Sequence, residues 1–200
     1  RAVMDLAYWL CDNVASLYSV NNLTGYLKSL GHSVPKAAVS DYLKWFEDAF
    51  FFFTVRIFDS SLARSNTNPK KIYCVDHAMI PSISSGVLVN SGHLLESLVF
   101  VSLRRAYPSV YYYRTRRGKE VDFVVPTRGA EKLLVQVCES LAAPSTRKRE
   151  VGTLWEAMNE LGTRRGFVVT RNEEETLRAG DASIEVIPAW RFLLAMPDHG

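Results

Sequence analysis

Long apolar runs are missing from this sequence. The longest, Ala49 to Phe58, is interrupted by Thr54 and Arg56 and falls well short of the ~18 residues that a membrane-spanning helix needs. No membrane partner is expected, and the chain reads as soluble. Cysteine is scarce. Cys11, Cys74 and Cys138 are odd in number and more than sixty positions apart, which excludes a disulfide framework and a CxxC metal knuckle and points to a reducing, cytoplasmic setting. His32, His77, His93 and His199 are scattered without metal-ligand spacing. A phosphate-binding GxxxxGK[ST] loop, internal repeats and low-complexity tracts are also lacking. The composition, 48% hydrophobic and 22% charged, excludes disordered and collagen-like chains. The net charge of +3 is too small to imply a nucleic-acid partner by itself. The chain starts at Arg1, with no apolar leader or small-residue cleavage site after it, so it reads as part of something longer.

The charge is unevenly placed. From Ser97 to Lys119 there is no acidic residue, while Arg104, Arg105, Arg114, Arg116, Arg117 and Lys119 all fall there. A second basic burst follows at Arg147-Lys148-Arg149.

Hydrophobic spacing divides the chain near residue 80. The first half predicts three helices. The first covers about Ala2 to Leu17. The second starts at Asn21-Asn22 and carries Leu23, Tyr26, Leu27 and Leu30 at i, i+3, i+4, i+7 before Gly31. In the third, Ser33 caps, Pro35 sits in the first turn, and Val39, Tyr42, Leu43 and Phe46 form the buried stripe. Phe50–Phe58 and residues 71–75 predict two strands, separated by a polar loop. Three helices followed by a two-stranded wing is winged-helix order, in which Lys36 and Lys44 on the outer face of the third helix are candidate DNA contacts. Asp41, Glu47 and Asp48 dilute that face, so a winged helix used for packing or protein contacts fits equally.

His77–Gly92 reads as an uncharged linker. After it the pattern predicts a helix at His93–Ala106 and strands at Val110–Thr115, Glu120–Val125 and Lys132–Glu139, with turns at residues 116–119 and 126–129. A helix Thr146–Leu161 ended by Gly162, strands Gly166–Thr170 and Ile184–Ile187, and a short helix Pro188–Met196 complete an αβββαβ order followed by βα. The expected fold class is α/β (α+β): a winged-helix domain over residues 1–80, then an α/β domain with a mixed central sheet over residues 81–200.

Strand alternation places Glu120, Asp122 and Val124 on one face and Val121, Phe123 and Val125 on the other. In the next strand Leu134, Gln136 and Cys138 share a face. A carboxylate in an apolar strand is costly unless something pairs with it or uses it, so a cation-binding edge is expected at Asp122.

Glu96 on its helix, GKEVDFVV (118–125) and LLVQVCES (133–140) resemble the PD-(D/E)xK restriction-endonuclease fold. More specifically, NPKKIYCVDHAM, SGHLLESLVF, YYYRTRRGKEVDFVV, VQVCESL and TRKREVGTLWEAM are similar to the C-terminal region of a family of prokaryotic AAA+ ATPases. That region, mostly of unknown function, follows an ATP-binding module, which this sequence does not contain. The resemblance implies Mg²⁺ or Mn²⁺ held by Glu96 and Asp122, with Gln136 in the place of the second acid and Cys138 in the place of the lysine. Glu120 stands two positions from Asp122 as a displaced acid. Arg114 and Lys119 are candidates to replace the missing cation, whereas Lys132 lies too far along its strand. Without the (D/E)-x-K pair the expected site is degenerate, because a glutamine brings no negative charge and a thiol no positive one. Cys138 also reads as a buried core residue.

The remaining candidates form a basic surface. Tyr111 to Lys119 mixes aromatics with Arg114, Arg116, Arg117 and Lys119 around a turn, as phosphate contact and base stacking require. The same charges would also protect a sheet edge. Arg147 and Lys148 near a helix start oppose the macrodipole, which suggests an anion as their use. The leading expectation is a nucleic-acid-associated module with a degenerate nuclease site, working beside its own N-terminal ATPase domain, which alone would bind ATP. An active metal-dependent nuclease and a protein-interaction or homo-oligomerising module are the alternatives.

Overall fold

A computed structural model describes residues 1–83, 90–127 and 131–196. The predicted turn at 126–129, the linker to Gly92 and His199 fall partly or wholly outside the described residues.

The first half contains α1 (Ala2–Asp12), β1 (Leu17–Tyr18), α2 (Val20–Ser29), α3 (Lys36–Asp48), β2 (Phe52–Val55), α4 (Leu62–Thr67), β3 (Lys70–Cys74) and α5 (Met79–Ile83). The strands form a sheet of order β1-β3-β2, with β3 antiparallel to both neighbours. α1 ends earlier than its apolar pattern suggests because Ala15 takes a positive φ and donates its N–H to the Ile72 carbonyl, which turns the chain into β1. Ser19, rather than Asn21, caps α2 by accepting from the Asn22 N–H. Pro35, in an extended conformation, precedes α3, and Ser33 makes no cap bond there. The polar loop contains a helix after all. Ser61 caps α4, and Asp59 accepts from both the Ser61 N–H and the Arg64 guanidinium.

The second half contains α6 (Ser91–Ala106), β4 (Tyr111–Arg114), β5 (Glu120–Pro126), β6 (Lys132–Val137), α7 (Pro144–Leu161), β7 (Arg165–Thr170), β8 (Glu175–Ala179), β9 (Ala182–Pro188) and α8 (Ala189–Leu194). This is the expected α/β class. Its mixed six-stranded sheet runs β4-β5-β6-β7-β9-β8, antiparallel through β6, parallel from β6 to β9, with β8 antiparallel at the edge. β8 carries Glu-Thr-Leu-Arg-Ala, largely exposed, and shows no apolar alternation from which a strand could be predicted. Gly162 ends α7 in the left-handed conformation that glycine adopts without steric cost.

The segment predicted as one strand, Phe50–Phe58, serves both sheets. Phe52–Val55 is β2, and beyond it Tyr112 donates its N–H to the Arg56 carbonyl while its own carbonyl accepts from the Phe58 N–H. α7 packs on one face of the large sheet through Leu154, Ala157 and Met158 against Val121, Val124, Leu134 and Val168. The other face holds Phe123, Val125, Val135 and Val169 against Val99, Phe100 and Leu103 of α6, and this core also takes in Val55 and Tyr73 from the small sheet. A third core, Leu6, Leu10, Leu23, Leu27, Val39, Phe52 and Ile72, lies within the N-terminal half.

Candidate functional site, a buried cation among carboxylates

β3 alternates its side chains between two cores. Ile72 and Cys74 enter the N-terminal one, while Lys71 and Tyr73 point to α6 and the large sheet. Tyr73 stacks on Phe100, with centroids 4.3 Å apart and planes 16° apart. Its hydroxyl donates to Glu96 Oε1 at 2.7 Å. The Lys71 side chain is 2% exposed. Its Nζ lies 2.9 Å from Glu96 Oε1, 2.9 Å from Glu120 Oε1 and 3.1 Å from Asp122 Oδ1.

Glu96 projects from the buried face of α6, one turn before Val99 and Phe100 and two before Leu103. Glu120 and Asp122 come from β5. A register shift between Tyr111 and Tyr113 pairs Tyr111 with Val124 and Tyr113 with Val121, so β5 carries one extra residue, the mark of a β-bulge. The bulge corrects the simple alternation. Val121 and Val124 both pack under α7, leaving Asp122 on the side of Phe123 and Val125, where Lys71 enters. Asp122 Oδ2 also accepts the Val137 N–H at 2.9 Å, which ties the carboxylate to the end of β6.

Buried charges of this kind are tolerated only when paired and hydrogen-bonded. Burial pushes the Lys71 ammonium down, but Glu96, with Tyr73, Asp122 and Glu120, outweighs it and holds Lys71 well above the ordinary lysine range. One ammonium faces three carboxylates, and the uncompensated negative charge works against the ionised form of Glu96. Burial and then Asp122 push Glu96 up to about 7. His93, half-buried one turn before Glu96, is lowered by burial and by Lys71.

The residues expected to complete the metal site face elsewhere. Gln136 accepts the Asp122 N–H through Oε1 at 3.4 Å and donates through Nε2 to Glu150 of α7 at 2.7 Å. Its amide oxygen is therefore spent within the protein, on the α7 side of the sheet. Glu150 is paired in turn with Arg149 at 2.9 Å. Cys138 belongs to the core under α7, and burial with nearby Glu150 pushes its thiol up to about 12. It is a small apolar residue there, in keeping with the core reading. Arg114 reaches Glu120 only at 3.7 Å, and Lys119 turns away to Glu156 at 3.0 Å. The cation that sequence reasoning sought on neighbouring strands comes instead from the other half of the chain. Mg²⁺ or Mn²⁺ does not fit the cluster in this arrangement, since Lys71 Nζ already occupies the point on which the carboxylates converge. Among the described residues no group of three or more histidine, cysteine, aspartate or glutamate side chains is disposed to hold a metal ion.

The basic candidates separate into two sets. Arg147 pairs with Glu175 at 2.6 Å and Lys119 with Glu156. Arg116, Arg117, Lys148, Lys36 and Lys44 are exposed. The hairpin turn is held firmly, because Tyr113 Oη donates to Glu160 at 2.7 Å and the Arg116 N–H to the same carboxylate at 3.1 Å.

With this geometry in view, comparison with known proteins places the second half of the chain. The family described as a domain of unknown function (DUF4143) matches residues 91–192, just over half of the chain. The chain belongs to the DUF4143 family. The matched segment runs from α6 into α8. It contains Glu96, Glu120 and Asp122 but neither Lys71 nor Tyr73, so the DUF4143 segment supplies the carboxylates and the preceding strand the cation. The chain is also similar to an uncharacterised protein of the archaeon Methanocaldococcus jannaschii, 29% identical over 194 residues, covering 92% of this chain and 42% of that protein. The chain thus spans less than half the length of this relative. No solved structure matches. Among the described residues no helix is long and apolar enough to cross a membrane.

Proposed function

We propose that this DUF4143 chain is a nucleic-acid-associated module of a longer protein, built from a winged-helix-like domain over residues 1–80 and a PD-(D/E)xK-like domain over residues 81–200, whose nuclease-like site does not cleave. The observation that carries the reading is the seating of Lys71 Nζ among Glu96, Glu120 and Asp122. Metal-assisted phosphodiester cleavage needs carboxylate oxygens free to hold a divalent ion and a positive group beside the scissile phosphate. Here the oxygens are spent on an ammonium that is itself 2% exposed, and the strand positions expected to add an acid and a lysine carry Gln136 and Cys138. The antiparallel β4-β5-β6 meander continued by parallel β7, with α6 and α7 on opposite faces, supports the nuclease-like scaffold.

Association with nucleic acid rests on the hairpin. Arg116 and Arg117 project from a turn that Glu160 fixes through Tyr113 and the backbone, with Lys148, Lys36 and Lys44 as further exposed cations. Work beside an ATPase domain in the cytoplasm is part of this proposal. It draws on the motif resemblance and on the greater length of the archaeal relative. A protein-contact role has an observation of its own. Trp190 and Leu194, one turn apart on α8, are 60% and 79% exposed, as an interface or homo-oligomer contact would leave them.

The test is titration of labelled duplex and single-stranded DNA across a salt series, with Mn²⁺ cleavage followed in parallel. The expected result is affinity that falls linearly in log–log form, with a slope near −0.9 per neutralised phosphate for duplex, and no cleavage. A salt-independent or absent signal would move the reading to protein contact through α8. Metal-dependent cleavage abolished in Asp122→Asn would make the protein an active nuclease.

A further inference from the structure

We propose that β3 closes the carboxylate cluster from within the same chain: Lys71 and Tyr73 act as an intramolecular plug that occupies the cation position and keeps divalent cations out. The inference rests on the nuclease-like reading of the cluster and adds which groups block its cation position.

Three observations carry it. First, the plug comes from the three-stranded sheet, whereas every carboxylate it meets belongs to α6 or β5. The two sides come from different sheets, held together by the shared core and by the Tyr112 backbone bonds to Arg56 and Phe58. Second, the plug answers the cluster in sign and geometry. An ammonium at 2.9 to 3.1 Å from its carboxylates has the spacing of charge-assisted hydrogen bonds, and the Tyr73 hydroxyl takes the same Glu96 oxygen that Lys71 does. Third, the polar contacts sit at the edge of an apolar seal. Tyr73 packs on Phe100 and Phe123, and Phe53 of β2 also packs on Phe100. Apolar cover of this sort excludes water and strengthens the ion pairs inside. A cation competing for the cluster must therefore displace an ammonium and part an aromatic seam together.

A closed state lowers apparent affinity by the fraction of molecules open. Mn²⁺ is titrated calorimetrically into the wild-type chain, Lys71→Met and Lys71→Met/Glu96→Gln. The last variant keeps the net charge of the cluster, because one positive and one negative group leave together. Each is repeated with Asp122→Asn. Folding is followed by circular dichroism, and melting temperature is read with and without Mn²⁺.

The expected result is weak or no binding in the wild type and affinity higher by about tenfold or more once Lys71 is removed, abolished again by Asp122→Asn. If Lys71→Met does not fold alone, the charge-matched variant carries the test. Equal binding by the wild type and the Lys71 variants, abolished by Asp122→Asn, would overturn the plug and leave the nuclease-like reading intact. Folded Lys71 variants that still fail to bind Mn²⁺ would overturn the plug, since something other than Lys71 would then keep the ion out, and would leave the non-cleaving reading standing.

Discussion

The Lys71 ammonium lies 3.1 Å from the Asp122 carboxylate although 51 residues separate the two in sequence. Such a pair is a weak net source of stability, because desolvating both ions offsets most of their attraction, but removing one partner alone strands the other in an apolar core. Lys71→Met is expected to cost about 3 to 5 kcal/mol, and adding Glu96→Gln to the same chain should return part of that loss. Urea unfolding of the two variants beside the wild type checks this. A Lys71→Met chain as stable as wild type would mean that the carboxylates are not stranded when the ammonium is removed.

Glu96 gives the cluster a pH dependence with a defined sign. Its folded-state value of about 7 lies above its ordinary 4.5, so the folded protein holds a proton that the unfolded chain releases. The stability this contributes is fully present below pH 4.5 and is lost as pH rises through about 7. Lys71 and Tyr73 face it from β3, Asp122 and Glu120 from β5, and His93 from its own helix. Glu96→Gln stays neutral throughout and should flatten the decline between those limits. Denaturation midpoints measured at several pH values in both proteins test the difference, and parallel curves would refute it.

The hairpin cations should act on DNA additively and without sequence preference. Replacing Arg116 and Arg117 by alanine together is expected to reduce the magnitude of the salt slope by about 2, one for each phosphate left without its arginine. Lys119→Ala should change it less, since that lysine is already paired with Glu156 at 3.0 Å. An unchanged slope in the double variant would remove the hairpin from any nucleic-acid surface.

Cys138 should be inert toward thiol reagents in the folded state. Burial and Glu150 hold its thiol up to about 12, leaving almost no thiolate at neutral pH. Alkylation at pH 8 followed by peptide mass spectrometry should label it only after unfolding. Rapid native labelling would contradict its place in the core under α7.

Much of the large sheet was legible in the sequence, since β5, β6 and β7 are apolar runs bounded by turn residues and Gly162 marks the end of α7. Glu96 and Asp122 were legible too, as acids placed against the grain of apolar elements. The rest depends on pairing between segments, which local pattern does not carry. The bulge in β5 exists only relative to β4, and β8 is held by its backbone bonds to β9 rather than by any apolar face. Lys71 escaped notice because it stands beside Lys70 in what reads as the solvent-facing edge of a wing. Only the meeting of β3 with α6 shows that one of these lysines is among the most buried side chains of the protein.

The two faces of β3 also set how the chain tolerates change in length. Ile72 and Cys74 belong to one core, Lys71 and Tyr73 to another, and strand geometry alternates with a period of two. A single-residue insertion or deletion in the loop before β3 that slipped its register by one would drive an ammonium into the N-terminal apolar core and present an isoleucine to three carboxylates. A two-residue change would restore the faces. Length variation just ahead of this strand should therefore be accepted in even steps or absorbed wholly by the loop, a parity rule that sequences of other members can be searched for directly.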